Sequence, residues 1–309
     1  MRQARPRMDN HRKAVIYALV ACTLWGTVYV AIKVGLTHGM RPLTFAGTRF
    51  LASGLILLAI TKARGRLDLT GPDFLKISLF GLVQTGLQNA LFFTGVDLTD
   101  AGTAAIFINT QPFFVILLAP LFFEGSRITA LRIMGVLAGF GGVVLAMGGR
   151  AGLPDGYELG IVALVMAGFT WACSSIAAKR LMDGRDPMAL TAVQMSVGAT
   201  PLLAAGLLTE GPFMAGADMA ALLVLGYLAL FATSIPFFTW YKALSFGEVG
   251  RVSVFSFLLP VLGVLSGWLL LGERLNANIF GGMALVAAGI IIVNLGGPGY
   301  LRNFFRPSR

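Results

Sequence analysis

Apolar runs of about twenty residues follow one another along nearly the whole chain, each closed by a short cluster of Gly, Pro, Asp or Arg. A helix needs about 20 residues to cross a bilayer core of roughly 30 Å, so each run reads as a transmembrane helix. The pattern predicts ten spans, at 14–36, 43–61, 74–96, 101–122, 131–149, 159–178, 188–209, 219–240, 249–271 and 277–295. The separators carry turn residues, and none is long enough to hold a soluble domain.

The spans repeat. Trp25 and Lys33 in the first recur as Trp171 and Lys179 in the sixth, 146 positions on, and Pro112 in the fourth is matched by Pro260 in the ninth. Gly135, Gly142 and Gly149 return as Gly282, Gly289 and Gly296, a shift of 147. The chain therefore divides into a basic start (1–13), a first five-helix unit (14–149), a second (159–295) and a basic tail (296–309). An odd number of spans per unit turns the second copy upside down in the membrane. The expected fold is an all-α membrane protein of ten transmembrane helices, arranged as two inverted-topology five-helix repeats.

Charge agrees with that topology. With the N-terminus inside, the loops on its side hold eighteen Lys and Arg and the opposite loops three, which by the positive-inside rule makes both termini cytoplasmic. Inverted repeats recur in secondary transporters, with substrate near the midplane where the halves meet.

Composition narrows the function classes. Of 309 residues 56% are hydrophobic and 12% charged, against about 25% charged in a soluble domain. The net charge of +10 falls in inter-span loops rather than on one polar face, so it speaks of topology and not of nucleic acid. Cys22 and Cys173 lie within spans and read as packing residues, not a disulfide framework. Leu19-Val20-Ala21-Cys22 resembles a lipoprotein cleavage box, but the apolar run continues to Leu36, too far for a signal segment. The only histidines, His11 and His38, are terminal or in loops, and no paired carboxylates, metal-ligand spacing, phosphate loop or nucleophile elbow is present. Neither an enzyme nor a metal or cofactor is expected.

The remaining chemistry is uncharged polarity and aromatic rings inside spans. All fourteen acidic residues fall in loops or at span ends, so no carboxylate stands ready for a proton or sodium relay; facilitated diffusion or exchange is the expectation. On the third span Lys76, Phe80, Gln84 and Gln88 follow at i+4 with Asn89 beside them, a stripe that must face protein or a wet cavity. Asn109-Thr110-Gln111-Pro112 interrupts the fourth span and Thr233-Ser234-Ile235-Pro236 the eighth; proline frees backbone carbonyls there. Asn109 is expected to line a cavity, Thr233 and Ser234 to bond their own helix. Trp25, Tyr29 and Lys33 are spaced i+4 on the first span, Trp171, Ser175 and Lys179 on the sixth. Trp25 lies eleven residues into its span, too deep for an interfacial belt, and suits a cavity wall. Lys33 and Lys179 are expected to snorkel to opposite surfaces, and Arg49, six residues into the second span and costly there unless paired, to anchor at the headgroups, with an anion site as the alternative. The glycine series of the fifth and tenth spans suits close helix packing, and a dimer is only permitted.

Trp25-Gly26 with Lys33, Arg49-Phe50-Leu51-Ala52, Gln111-Pro112 before Glu124, and Pro260 before Gly272-Glu273-Arg274-Leu275 resemble the drug/metabolite transporter superfamily, EamA branch, over residues 13 to 296. Within it the chain looks most like the YddG-type aromatic amino-acid exporters. The resemblance implies a central cavity built by both halves, alternating access, and export of amino acids or related metabolites across the bacterial inner membrane. Trp171-Ala172 stands where the first half has Trp25-Gly26, which weakens strict symmetry of the site. The first span holds no acid, unlike the small four-helix multidrug exporters of the superfamily, which disfavours proton-driven efflux of cations.

The expected partners are thus the lipid bilayer and a small-molecule substrate, an apolar or aromatic amino acid first. The expected binding residues are Trp25, Tyr29, Gln84, Gln88, Asn109, Trp171 and Ser175. A drug or nucleotide-sugar carrier, and a non-transporting membrane scaffold or receptor, remain as rival readings at this point.

Overall fold

A computed structural model describes residues 5–67, 71–122, 129–147, 155–211, 218–247, 249–272 and 277–295. Among these, every regular element is helical. The first predicted span is two helices, α1 (Arg5–Trp25) and α2 (Val28–Thr37), and the second is α3 (Pro42–Ala63). The third consists of α4 (Gly71–Gly81) and α5 (Gln88–Leu98), joined by a π-helical segment at Leu82–Leu87; the fourth is α6 (Ala101–Ile108) and α7 (Gln111–Phe122), the fifth α8 (Ala130–Met147). Then come α9 (Tyr157–Leu181) and α10 (Pro187–Thr209). Next, α11 (Met219–Ala229) and α12 (Ile235–Phe246) are joined by a π-helical segment at Leu230–Ser234. A 3-10 turn at Val254–Phe257 joins α13 (Val249–Ser253) to α14 (Leu258–Leu271), and α15 (Ala277–Leu295) follows. Six continuous helical stretches among the described residues are long and apolar enough to cross a bilayer.

The helices start and break for local reasons. Pro42 and Pro187 open α3 and α10 from the first helical turn, where a missing amide costs nothing. Asp100, Asp186 and Asp218 cap α6, α10 and α11 through backbone amides of Thr103, Met188 and Ala221, satisfying donors that a helix start leaves orphaned. The first span breaks at Gly26-Thr27 while α9 runs unbroken past Trp171-Ala172. A side chain at Gly26 would place its Cβ 2.6 Å from the Cβ of Leu262, so the tighter residue belongs where α14 crosses. The Trp-Gly and Trp-Ala difference in sequence is thus a difference in backbone.

A seam between α3 and α10 runs through the centre. A Cβ on Gly47 would lie 2.5 Å from the backbone of Leu203, one on Gly54 2.6 Å from the nitrogen of Ser196, and one on Gly206 2.5 Å from that of Thr44. Numbers rise along one helix as they fall along the other, so the two pack antiparallel with backbones nearly touching. At one end Glu210, the C-cap of α10, accepts from the amides of Leu43 and Thr44 at 2.9 Å each, capping its neighbour α3. The glycine series of the fifth and tenth spans makes a second seam: a Cβ on Gly289 in α15 would meet the carbonyl of Gly135 at 2.4 Å and the nitrogen of Gly139 at 2.7 Å in α8. That series therefore serves packing within the chain.

Large apolar side chains such as Leu121, Leu137, Leu208, Leu223, Leu269 and Leu270 are exposed. Polar ones, among them Gln84, Gln88, Asn89, Asn109, Gln111 and Gln194, are buried. This inversion of the soluble pattern is what a chain solvated by lipid needs. Of the two cysteines, Cys22 is buried, while Cys173 is only half-buried.

Candidate functional site

A narrow central cavity lies where elements of both chain halves converge. Its wall on one side is aromatic. The ring of Trp25 at the end of α1 meets Trp171 of α9 at 5.4 Å, Phe237 of α12 at 5.1 Å and Trp240 at 5.5 Å, the first two edge to face. Such contacts set the positive edge of one ring against the negative face of another and hold each in one orientation.

Part of the lining is polar. Gln84, Gln88 and Asn89 form it. Asn89 Nδ2 is engaged by the carbonyls of Gln84 and Thr85, at 3.2 and 3.1 Å, but Gln84 Oε1 is buried without a partner. A buried acceptor left so is costly, and a ligand donor would relieve it. Lys76, placed on the same stripe by spacing, is instead exposed midway along α4.

Two π-helical bulges flank the cavity at corresponding places, Thr85 in one and Thr233 in the other, 148 positions apart. Each bulge inserts one residue and loosens the carbonyl ladder, and each is clipped from the α3–α10 seam. Thr85 Oγ1 donates to Gln194 Oε1 of α10 at 2.8 Å. Arg49 of α3 donates from Nε to Thr233 Oγ1 at 2.5 Å and from Nη2 to the Ala232 carbonyl at 3.0 Å. Arg49 and Gln194 are themselves counterparts, each seven residues after the proline that opens its helix.

Arg49 corrects the expectation of a headgroup anchor. It is 2% exposed, lines the cavity, and lies over the rings of Phe50 and Phe93 at 5.1 and 5.7 Å. Seven residues at 1.5 Å each carry it about 10 Å beyond the helix start, past the interface. Thr233 is also corrected: it receives Arg49, whereas Ser234 bonds its own helix at the Ala229 carbonyl, 2.8 Å away.

Of the residues singled out by sequence, Trp25, Tyr29, Gln84, Gln88 and Trp171 come together at the cavity. Asn109 and Ser175 stand behind it. Asn109 Nδ2 donates to the Ala105 carbonyl at 2.7 Å and to Tyr29 Oη at 3.4 Å, so it backs Tyr29 instead of facing the space. Ser175 Oγ accepts from Gln111 Nε2 at 3.4 Å, tying α9 to the break between α6 and α7. Arg49, Phe50, Asn89, Phe92 and Phe237 are among the cavity residues that sequence reasoning did not include in the site. The signal for Arg49 was its counterpart Gln194, a second polar residue at equal depth.

Lys33 and Lys179 do not simply snorkel. Lys33 Nζ donates to the Asp97 carbonyl at 3.1 Å, in the last turn of α5. Lys179 Nζ donates to the Leu244 and Gly247 carbonyls, at 2.5 and 2.8 Å, in the last turn and C-cap of α12. A cation suits the negative end of a helix, and the two contacts are again counterparts.

The chain matches known proteins over nearly its full length. The EamA-like transporter family model matches twice, at residues 12–148 and 158–295. A protein of Escherichia coli (strain K12) named probable amino-acid metabolite efflux pump is 31% identical, covering 91% of this chain and 94% of its own. Its namesake in Salmonella typhimurium is 31% identical over the same shares, and an uncharacterized transporter of Archaeoglobus fulgidus is 28% identical, over 91% and 98%. A solved crystal structure covers 95% of this chain and 99% of its own with a TM-score of 0.69 at 21% identity, a likeness of fold.

Proposed function

The chain belongs to the EamA-like transporter family, a family of multi-pass membrane transporters and not of enzymes, and on that premise we propose that it is a secondary transporter exporting amino acids and related metabolites. The favoured substrates are aromatic or other apolar amino acids. The membrane is the bacterial inner membrane, with both termini cytoplasmic. The observation that carries the reading is the central cavity, lined by the Trp25–Trp171 ring pair together with Gln84 and Gln88. Rings take up an apolar side chain, while closely set polar groups offset the desolvation of a zwitterion. Two relatives carry amino-acid metabolite efflux in their names, which fits.

Ten spans in two inverted five-helix repeats are the architecture we assign. Support comes from the antiparallel α3–α10 seam, from bulges at Thr85 and Thr233, and from Lys33 and Lys179 capping corresponding helix ends. Alternating access then follows as rocking of one half on the other around the cavity. The absence of acids from the middle of every span favours facilitated diffusion or exchange over a proton relay. A nucleotide-sugar carrier would call for several cavity cations, and among the described residues Arg49 is the cation lining this one.

Counterflow of labelled amino acids into proteoliposomes, with and without a pH gradient, tests the proposal. Flux of phenylalanine or another apolar amino acid at equal rate in both conditions is expected. No flux of any amino acid by protein of native melting behaviour would sink it.

A further inference from the structure

We propose that Arg49 sets substrate specificity by reading a carboxylate, so that the transporter accepts aryl monocarboxylates with or without an amino group and rejects the matching cationic amines. The inference rests on the transporter reading above and deepens it.

The argument begins with a broken symmetry. Both π-helical bulges are clipped by a residue seven places after a proline, and in one half that residue is the neutral Gln194, whose Oε1 holds Thr85 at 2.8 Å. Holding a bulge therefore needs no charge. Yet the other half uses a guanidinium, buried to 2% exposure, with no carboxylate partner among the described residues. A buried cation without a counter-ion is costly; a neutral amide would do the clip's work without that cost. The charge answers to something that is not part of the chain.

Geometry says where that something binds. Nε and Nη2 are committed to Thr233 and Ala232. Nη1 donates to no described residue, and Arg49 lines the cavity shared with Trp25 and Gln84. A planar fork of N–H donors with one arm free suits a carboxylate oxygen. An amino group finds only neutral acceptors there, Gln84 Oε1 first, because no Asp or Glu lines the cavity. One fixed positive charge thus attracts a monocarboxylate, tolerates a zwitterion and repels an organic cation.

Three ligands that share one ring and differ only in charge decide the matter: phenylalanine, 3-phenylpropanoate and 2-phenylethylamine, each competing against labelled phenylalanine in counterflow by the full-length protein. Phenylpropanoate is expected to compete within a few-fold of phenylalanine, and phenylethylamine at least about tenfold more weakly. Arg49→Gln copies the arrangement of the sister half, so the bulge stays clipped. It is expected to weaken both carboxylates by about tenfold or more and leave the amine unchanged, abolishing the preference; Arg49→Lys should keep the order of preference at reduced affinity. A purely structural Arg49 would lower rates for all ligands alike and preserve their order, and that result overturns the proposal, as does phenylethylamine matching phenylpropanoate in the wild type. The wild-type comparison stands even if a variant fails to fold. If no flux of any kind is found, the transporter reading fails, and thermal shifts of the detergent-solubilised protein by the same three compounds still judge Arg49: stabilisation by the two carboxylates alone upholds it, and stabilisation by the amine alone, by all three equally or by none overturns it.

Discussion

Trp25 and Trp171 meet edge to face, ring centroids 5.4 Å apart and planes at 89°, although 146 residues of chain separate them. They are the same position in the two repeats, so the point where the repeats touch is also the wall of the cavity. Phe237 and Trp240 close around Trp25 from α12, and the first half thereby leans its central ring on the second.

Trp25→Ala removes the ring that all three neighbours share. Loss of a buried Trp costs about 3 kcal/mol or more, which a lowered melting temperature will register. Trp25→Phe keeps part of the wall, and should retain the fold while raising the half-saturating concentration of an aromatic substrate several-fold in counterflow.

Gln84→Ala with Gln88→Ala strips the polar wall and should cut amino-acid transport about tenfold with little change in melting temperature. Asn109→Ala and Ser175→Ala, which stand behind the wall, should change apparent affinity by no more than about twofold. Equal effects of all four, measured as substrate concentration dependence, would deny the distinction between facing and backing residues.

Gly47→Val forces a side chain into the backbone of Leu203, 2.5 Å from where its Cβ would lie. Overpacking of this kind costs typically 1–3 kcal/mol. Gly141→Ala, with nothing within 4 Å of the added carbon, is the matched control and should stay within about 0.5 kcal/mol of the parent. Thermal melts of the two side by side provide the check.

Lys33→Cys and Lys179→Cys, each in a background with Cys22 and Cys173 replaced by Ala, should be labelled from opposite sides of the membrane by an impermeant thiol reagent. Labelling of both from one side would contradict the inverted repeat.

Much of the fold was legible because lipid imposes a strong signal: long apolar runs, loop charge and the 146–147 residue echo are all properties of the one-dimensional string. The site was legible where a side chain points straight from a regular helix, as for Trp25, Tyr29 and Trp171. It was lost for Lys76, where the backbone departs from 3.6 residues per turn before the glutamines. Reading Gln84 and Gln88 as one i+4 stripe with Lys76 ignores the extra residue at Leu82–Leu87, and no propensity of Thr85 announces a bulge. Arg49 was misplaced because its pairing partners cannot be seen from its own span: its hydrogen bonds come from a segment 184 positions away. Asn109 is a related case: a break in its helix suggested an opening onto the cavity, whereas its Nδ2 is taken up by Ala105 and Tyr29 while its Oδ1 is buried without a partner.

The aromatic cluster has an optical consequence. The chain has four tryptophans, and Trp25, Trp171 and Trp240 are all in mutual ring contact beside the cavity. The fourth, Trp268, is 51% exposed toward the lipid side. Replacing Trp268 with Phe leaves a protein whose tryptophan emission arises wholly from the cluster beside the cavity. Such a molecule reports ligand arrival and the parting of its two halves through its own fluorescence, with no dye attached.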